Sequence, residues 1–318
     1  MLAEKTIGVV VPAYNEELLV GKVIETMPEF VDKIIVVDDY SKDHTTQIVE
    51  EYIARPEYSS RLELIRLGQN SGVGRAIVVG YRAASKQNMD VVAVMAGDAQ
   101  MDPDDLDHVV LPVVSGKADY VKGNRLFTGE AWQMIPRYRY LGNAMLSLMT
   151  KISSGYWHIA DSQTGYTAIS KYAIDIMPLE KLYPRYGYPN HILCMLNVFN
   201  MRVKDVPIKP IYNIGEKSGI RLWKVIPTIS KLLVSNFLWR MKEKYIIRDF
   251  HPLVFFYALA FLLLVMSGPL FARMIYRWIE FNRIPPMNTL AFMFTSISGL
   301  QSLFFAMWFD MDYNKFER

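Results

Sequence analysis

Two stretches near the C-terminus constrain what this chain can fold into more than anything else in it. Residues 252–272 carry no charged side chain over about 21 positions, and residues 284–309 carry none over about 26. The hydrocarbon core of a bilayer, ~30 Å thick, needs about 20 helical residues. Each stretch is therefore long enough to cross, and soluble core helices rarely run so far without one charge. The chain is predicted to end in a two-helix transmembrane anchor, with spans at about 252–272 and 286–309. Between them RMIYRWIEFNR reads as a short charged turn whose aromatic residues suit a membrane interface. The basic run RMKEKYIIR ahead of the first span favours the cytoplasm for that side, although Arg273, Arg277 and Arg283 blur the bias. An even number of spans returns the tail to the side of the N-terminal domain.

The rest of the chain is not membrane-like. Its 318 residues leave room for one large domain before the anchor, and the formal net charge of +3 is too near neutral to argue for nucleic acid. The single cysteine, Cys194, rules out an internal disulfide and is compatible with a reducing compartment. The opening MLAEKTIGVVVP lacks the basic region and cleavage pattern of a secretory signal, so the front domain is expected in the cytoplasm.

That domain alternates strand and helix. Residues 7–11, 33–37, 62–67 and 90–95 read as strands. Residues 16–27 and 72–86 read as helices, and Ser41, Asp43 and Thr45 are placed to cap another after the second strand. Such βαβα order predicts a parallel, Rossmann-like sheet with helices on both faces, in which ligands bind outside the carboxyl ends of the strands. Asp38, Asp39 and Asp98 all fall there. Residues 220–250 then interleave Lys and Arg with Trp, Leu and Ile at helical spacing. They read as amphipathic helices in the membrane interface, broken in two at Pro227. The expected division is thus a catalytic-type domain over 1–219, juxtamembrane helices over 220–250 and the anchor over 251–318.

Three strand ends bear acids: VVPAYNEE, VVDDYSKDHT and MAGDAQMDP. Each alone is a helix cap as readily as a site. In this order they resemble the family 2 glycosyltransferases, which have the nucleotide-diphosphosugar-binding GT-A fold, over roughly residues 6–215. With the appended helices and spans, the chain resembles the polyprenyl-phosphate glycosyl synthases, a group that includes the dolichyl-phosphate mannose, glucose and GlcNAc synthases. The Gln-x-x-Arg-Trp motif of the processive polymerases is missing.

The resemblance implies inverting transfer of one sugar from a nucleotide-diphosphate sugar to a polyprenyl or dolichyl phosphate at the cytoplasmic membrane face. A UDP-sugar such as UDP-GlcNAc or UDP-glucose is favoured, and GDP-mannose is compatible. Two alternatives stay open: extension of a lipid-linked saccharide hydroxyl, and a degenerate nucleotide-binding scaffold without catalysis. A homo-oligomer is compatible with all three.

By resemblance, Pro12, Ala13, Tyr14 and Glu16 line the base and ribose pocket, Asp38 and Asp39 accept hydrogen bonds from base or ribose, and Gly72, Val73, Gly74 and Arg75 form a glycine turn near the nucleotide. Arg75 would supply the charge of a Lys usual at Val73. MAGDAQMDP matches the family's Asp-x-Asp signature with Ala96 in place of the first Asp, leaving Asp98 and Gln100 to hold Mg²⁺ or Mn²⁺. Those two would face one ion if the chain there is extended. Asp102, Asp104 and Asp105 are read as the cap and first turn of the next helix. KGNRL places Arg125 by the acceptor phosphate, PRYRYLGN offers Arg139 and secondarily Arg137, and GEKSGIR adds Lys217 and Arg221. DSQTGY puts Asp161 beside the sugar, where it would hold a hydroxyl or, for a hydroxyl acceptor, serve as base. A lipid phosphate, with a second pKa of about 6, arrives ionised and needs no base.

Overall fold

The computed structural model describes residues 2–126, 137–209, 211 and 222–317. It divides into two compact units, Met1–Phe237 and Leu238–Phe316.

The first unit is built on a seven-stranded sheet in the order β3-β2-β1-β4-β6-β5-β7. Its strands are β1 (Ile7–Ala13), β2 (Lys33–Asp38), β3 (Leu62–Arg66), β4 (Val91–Val94), β5 (Tyr120–Asn124), β6 (Thr167–Ser170) and β7 (Val203–Pro207). Every residue of β1 is buried. Its unbroken IGVVVPA run is what a strand covered on both faces requires. The covering helices include α1 (Val20–Glu25), α2 (Thr45–Ile53), α3 (Val73–Lys86), α4 (Leu106–Val114), α5 (Arg137–Ser154), α6 (Lys171–Ile176) and α7 (Tyr188–Val198).

The sheet is mixed rather than wholly parallel. β1 pairs in parallel with β2 and β4, but β6 runs antiparallel between β4 and β5. The four-residue TAIS carries no periodicity that could reveal this, and its partners lie far off in sequence. The first helix is also shorter than 16–27, because Asn15, Glu16 and Glu17 are drawn into bonds with the loop after β2. α3 crosses β1 so closely that a side chain on Gly80 would stand far inside the van der Waals envelope of Val10.

The amphipathic region is one helix, α8 (Leu222–Lys242), followed by a π-helical turn over Glu243–Arg248. Pro227 does not break it. Its residue lies in the second turn, where the missing N–H costs one intrahelical bond and not the helix. Ile229 and Leu233 are buried, and Cys194 Sγ donates to the Asn236 carbonyl at 3.3 Å.

The second unit holds two helices long and apolar enough to cross a membrane, α9 (Leu253–Phe281) and α10 (Pro286–Tyr313). RMIYRWIEF is therefore the end of α9 and not a turn. It contains no Gly or Pro, so its charges do not end the helix. The chain reverses at Asn282, in the left-handed conformation at φ 47°. Thr295, Gly299, Ser302 and Ala306 form the buried stripe of α10, and Gly299 lets it approach Leu263 and Leu264 of α9. Small residues at a helix–helix contact are how spans pack where lipid offers no hydrophobic drive. At the foot of this hairpin Arg240 donates to both carboxylate oxygens of Asp310, at 2.7 and 3.0 Å, with neither residue exposed. The Tyr245 hydroxyl donates to the same carboxylate and Lys244 Nζ to Asn314 Oδ1 at 2.7 Å.

Gly80→Ala should lower the unfolding free energy by about 1–2 kcal/mol, overpacking outweighing the better helix propensity of Ala. In a double-mutant cycle the penalty should shrink when Val10 is also Ala, as read from denaturant melts of the purified protein.

Candidate functional site

The loops after β1 and β2 are zipped together by polar contacts. Asn15, at φ 57°, donates its N–H to Ser41 Oγ at 2.9 Å and accepts from the Lys42 N–H at 2.8 Å. Glu16 N–H reaches Thr45 Oγ1 at 2.8 Å, and Glu17 N–H reaches Asp43 Oδ2 at 3.1 Å. The Glu17 carboxylate accepts from the His44 backbone at 3.1 Å, which with the His44 ring holds it below the usual carboxylate range. Two tyrosines stay exposed on this rim, Tyr14 and Tyr40, with the Lys42 ammonium 3.6 Å over the Tyr40 ring. Pro12 and Ala13 end the buried β1 beside them.

Both acids at the end of β2 are buried and engaged. Asp38 accepts from Ser41 N–H at 3.2 Å. Asp39 accepts from Ser71 N–H at 2.6 Å and Gly72 N–H at 2.7 Å. The glycine turn is thereby fastened to β2. Gly72 needs its freedom, at φ 93°, and a side chain on Gly74 would collide with the Tyr183 carbonyl and with Tyr188 Cβ. The two glycines let the start of α3 lie against residues 183–188, where Gly74 N–H donates to the Pro184 carbonyl at 2.8 Å. Arg75 lines a groove with Glu63, Arg82 and Glu180.

β4 delivers the third acidic end. Met95 N–H bonds the Val10 carbonyl at 3.0 Å and Gly97 N–H the Pro12 carbonyl at 3.1 Å, so the ends of β1 and β4 stay side by side. Beyond them the chain turns instead of extending. Asp98 Oδ1 accepts from Gln100 N–H at 3.1 Å, and Ala99 sits at φ 55°. The alternation expected of Asp98 and Gln100 along a strand is therefore lost to an Asx turn. Ala96 offers its N–H to Met101 Sδ at 3.3 Å. Asp102 caps the short 3-10 helix Pro103–Asp105, as its sequence implies, and Asp105 Oδ2 accepts from Lys209 N–H at 2.6 Å.

Among the described residues no three His, Cys, Asp or Glu side chains converge as a self-sufficient metal cage. The donors present nonetheless suit an ion that takes most of its oxygens from a diphosphate and water, since Mg²⁺ sites commonly use one or two carboxylates. Glu16 adds a further acid here. Burial, then Asp98 and then Asp43, push it up to about 7.

A second cluster closes the other end of the sheet. Arg125 grips Asp161 with two bonds, Nε to Oδ2 at 2.7 Å and Nη2 to Oδ1 at 3.1 Å, and Gln163 N–H adds a third at 3.1 Å. Asp161 is 2% exposed. Burial works to raise its pKa, but the Arg125 guanidinium and Lys122 overcome that and hold it below the ordinary value. Sequence reasoning missed the support beneath this pair. Asp205 Oδ2 accepts from Ala160 N–H at 2.7 Å and from Asn124 Nδ2 at 3.2 Å, which fixes the Asp161 loop to β5 and β7. Burial pushes Asp205 up to about 6, and its Oδ1 is buried without a partner. Lys122, also buried, donates to the Thr164 carbonyl at 2.6 Å, and burial lowers it to about 8. The only sequence signal was a charged residue inside each of two short strands. Arg137 and Arg139 fall in the first turn of α5 with side chains outside the described residues, and Lys217 and Arg221 lie wholly outside them.

Comparison with known proteins completes the description. The family model for Glycosyl transferase family 2 matches residues 8–176. The chain is 31% identical over 221 residues to the UDP-N-acetylglucosamine–dolichyl-phosphate N-acetylglucosaminyltransferase of Methanococcus voltae, covering 66% of this chain and 88% of that one. It is 25% identical over 249 residues to a dolichyl-phosphate beta-glucosyltransferase of Trichomonas vaginalis, covering 74% of each. Its fold matches glucosyl-3-phosphoglycerate synthase of Mycobacterium tuberculosis, solved with Mn²⁺, UDP and phosphoglyceric acid. The TM-score is 0.54 at 19% identity, over 75% of this chain and 79% of that one.

Asp161→Asn strips Arg125 of its carboxylate and should lower the unfolding free energy by about 2–3 kcal/mol. Tyr14→Ala, on the exposed rim, should change it by less than about 0.5 kcal/mol in the same denaturant titration.

Proposed function

The chain belongs to glycosyl transferase family 2, and on that premise we propose that it moves one sugar, with inversion, from a UDP-sugar to a polyprenyl or dolichyl phosphate. The catalytic domain would face the cytoplasm, held there by the two C-terminal spans. The relatives named as dolichyl-phosphate sugar transferases support the acceptor class, and the 31% identical one favours UDP-GlcNAc as donor. The basic stretch with Arg240, Lys242, Lys244 and Arg248 ahead of α9 supports the orientation.

The observation that carries the reading is the grip of Arg125 on Asp161. A hydroxyl acceptor must lose a proton during attack and needs a base with a free oxygen and a tuned pKa. Asp161, the acid placed for that task, is bound through both oxygens, and against the effect of burial Arg125 holds its pKa below the ordinary carboxylate value. A phosphate acceptor removes the need, because it is already anionic at neutral pH. What remains is to align two anionic groups in line and offset their repulsion.

In this reading Tyr14, Pro12 and Ala13 line the base. Asp38 and Asp39 still have acceptor capacity beyond their amide bonds and can take a base or ribose donor, since each carboxylate offers about four lone-pair sites. Mg²⁺ or Mn²⁺ held by Asp98 and Gln100 would neutralise charge on the departing diphosphate. Arg125, positioned by Asp161, would hold the acceptor phosphate, joined by Arg137, Arg139, Lys217 and Arg221.

The full chain, purified in detergent, should transfer label from UDP-GlcNAc to dolichyl or undecaprenyl phosphate. Failure with UDP-GlcNAc, UDP-glucose and GDP-mannose on every lipid phosphate overturns the reading. Asp98→Ala should reduce transfer at least about 100-fold, as expected for loss of charge stabilisation at the leaving group, with circular dichroism and membrane extraction unchanged.

A further inference from the structure

Among the described residues, the Glu16 carboxylate on the rim stands out for having no hydrogen-bond partner. Asp38, Asp39, Asp43 and Glu17 each accept a backbone N–H. Among the described residues no hydrogen bond or ion pair reaches the Glu16 carboxylate. What acts on it is burial and the like charges of Asp98 and Asp43. Its backbone is pinned to Thr45 Oγ1 at 2.8 Å, and its side chain runs toward β4. There Glu16 Cγ lies 3.5 Å from where a side chain on Gly97 would begin, directly beside Asp98. The bonds Met95 to Val10 and Gly97 to Pro12 keep the two strand ends in that register. The position that could have carried another acid on β4 is Ala96, whose methyl can ligate nothing.

We propose that Glu16 supplies the second carboxylate of the divalent-cation site, reaching across from the β1 loop to serve the face that Ala96 leaves bare. Asp98, Gln100 and Glu16 then give three oxygen donors from two adjacent strand ends, with the nucleotide diphosphate and water completing the shell. The inference rests on the metal reading in the proposed function and moves Glu16 from the base pocket to the ion.

The test is Mn²⁺ binding by the full chain in detergent with UDP present, followed by electron paramagnetic resonance. Glu16→Gln should weaken Mn²⁺ at least about tenfold, the scale of losing a ligand or its immediate support. It should leave the circular dichroism of the metal-free protein unchanged. Glu17→Gln, one residue on but turned to His44, should bind Mn²⁺ as the wild type does. Adding Ala96→Asp to Glu16→Gln should restore the affinity, which a role for Glu16 in base binding cannot explain. Equal Mn²⁺ affinity in Glu16→Gln and wild type overturns the inference, as does failure of a double variant with wild-type circular dichroism to recover it. If the wild type binds no Mn²⁺ with UDP, the metal reading itself falls, and the inference with it.

Discussion

Carboxylates taken out of water are costly unless they are hydrogen-bonded, and this domain meets that constraint by the same means at five acids. Asp38 takes the amide of Ser41, Asp39 those of Ser71 and Gly72, Asp98 that of Gln100, Asp105 that of Lys209 and Asp205 that of Ala160. A charged acceptor bonded to backbone N–H groups is among the stronger hydrogen bonds available to a protein. Each of these acids therefore dictates the path of a loop as well as adding charge to the rim. Remove the set and the loops that shape the cleft lose their common anchor on the sheet.

The same rule separates architecture from chemistry. An acid whose oxygens are spent on amides is first a structural part, whatever else it binds. Arg125 and Asp161 show a further step, in which an acid fixes a guanidinium that in turn can face an anionic ligand. Below them Asp205, Asn124 and Lys122 tie strand to loop. Such support lets a short irregular segment hold two charged groups steady without a helix or strand of its own.

Much of this was legible in the residues. The uncharged runs gave the spans, and the apolar strands ending in acids gave the rim, because burial on both faces writes itself as unbroken hydrophobic sequence. What was hidden depended on partners distant in sequence. The antiparallel insertion of β6 is a choice among pairings that TAIS alone does not encode. The turn at Ala99 follows from one side-chain bond. The groove that Arg75 lines depends on Glu63 and Glu180 from other elements, and the helical course of residues 273–281 shows that clustered charges need not end a helix. Asp205 and Lys122 read as ordinary charges in short strands, and only the folded chain shows Lys122 buried and Asp205 with a buried Oδ1.

The Arg240–Asp310 pair has a consequence for biogenesis. Asp310 stands at the far end of the second span, while its guanidinium partner precedes the first. During synthesis the first span and Arg240 emerge long before Asp310 exists, so neither charge can be neutralised by the other until the second helix has been threaded. The two helices thus have reason to close together as a hairpin, with pair formation as the latch that holds it. A chain ending after Phe281 would leave Arg240 without its carboxylate.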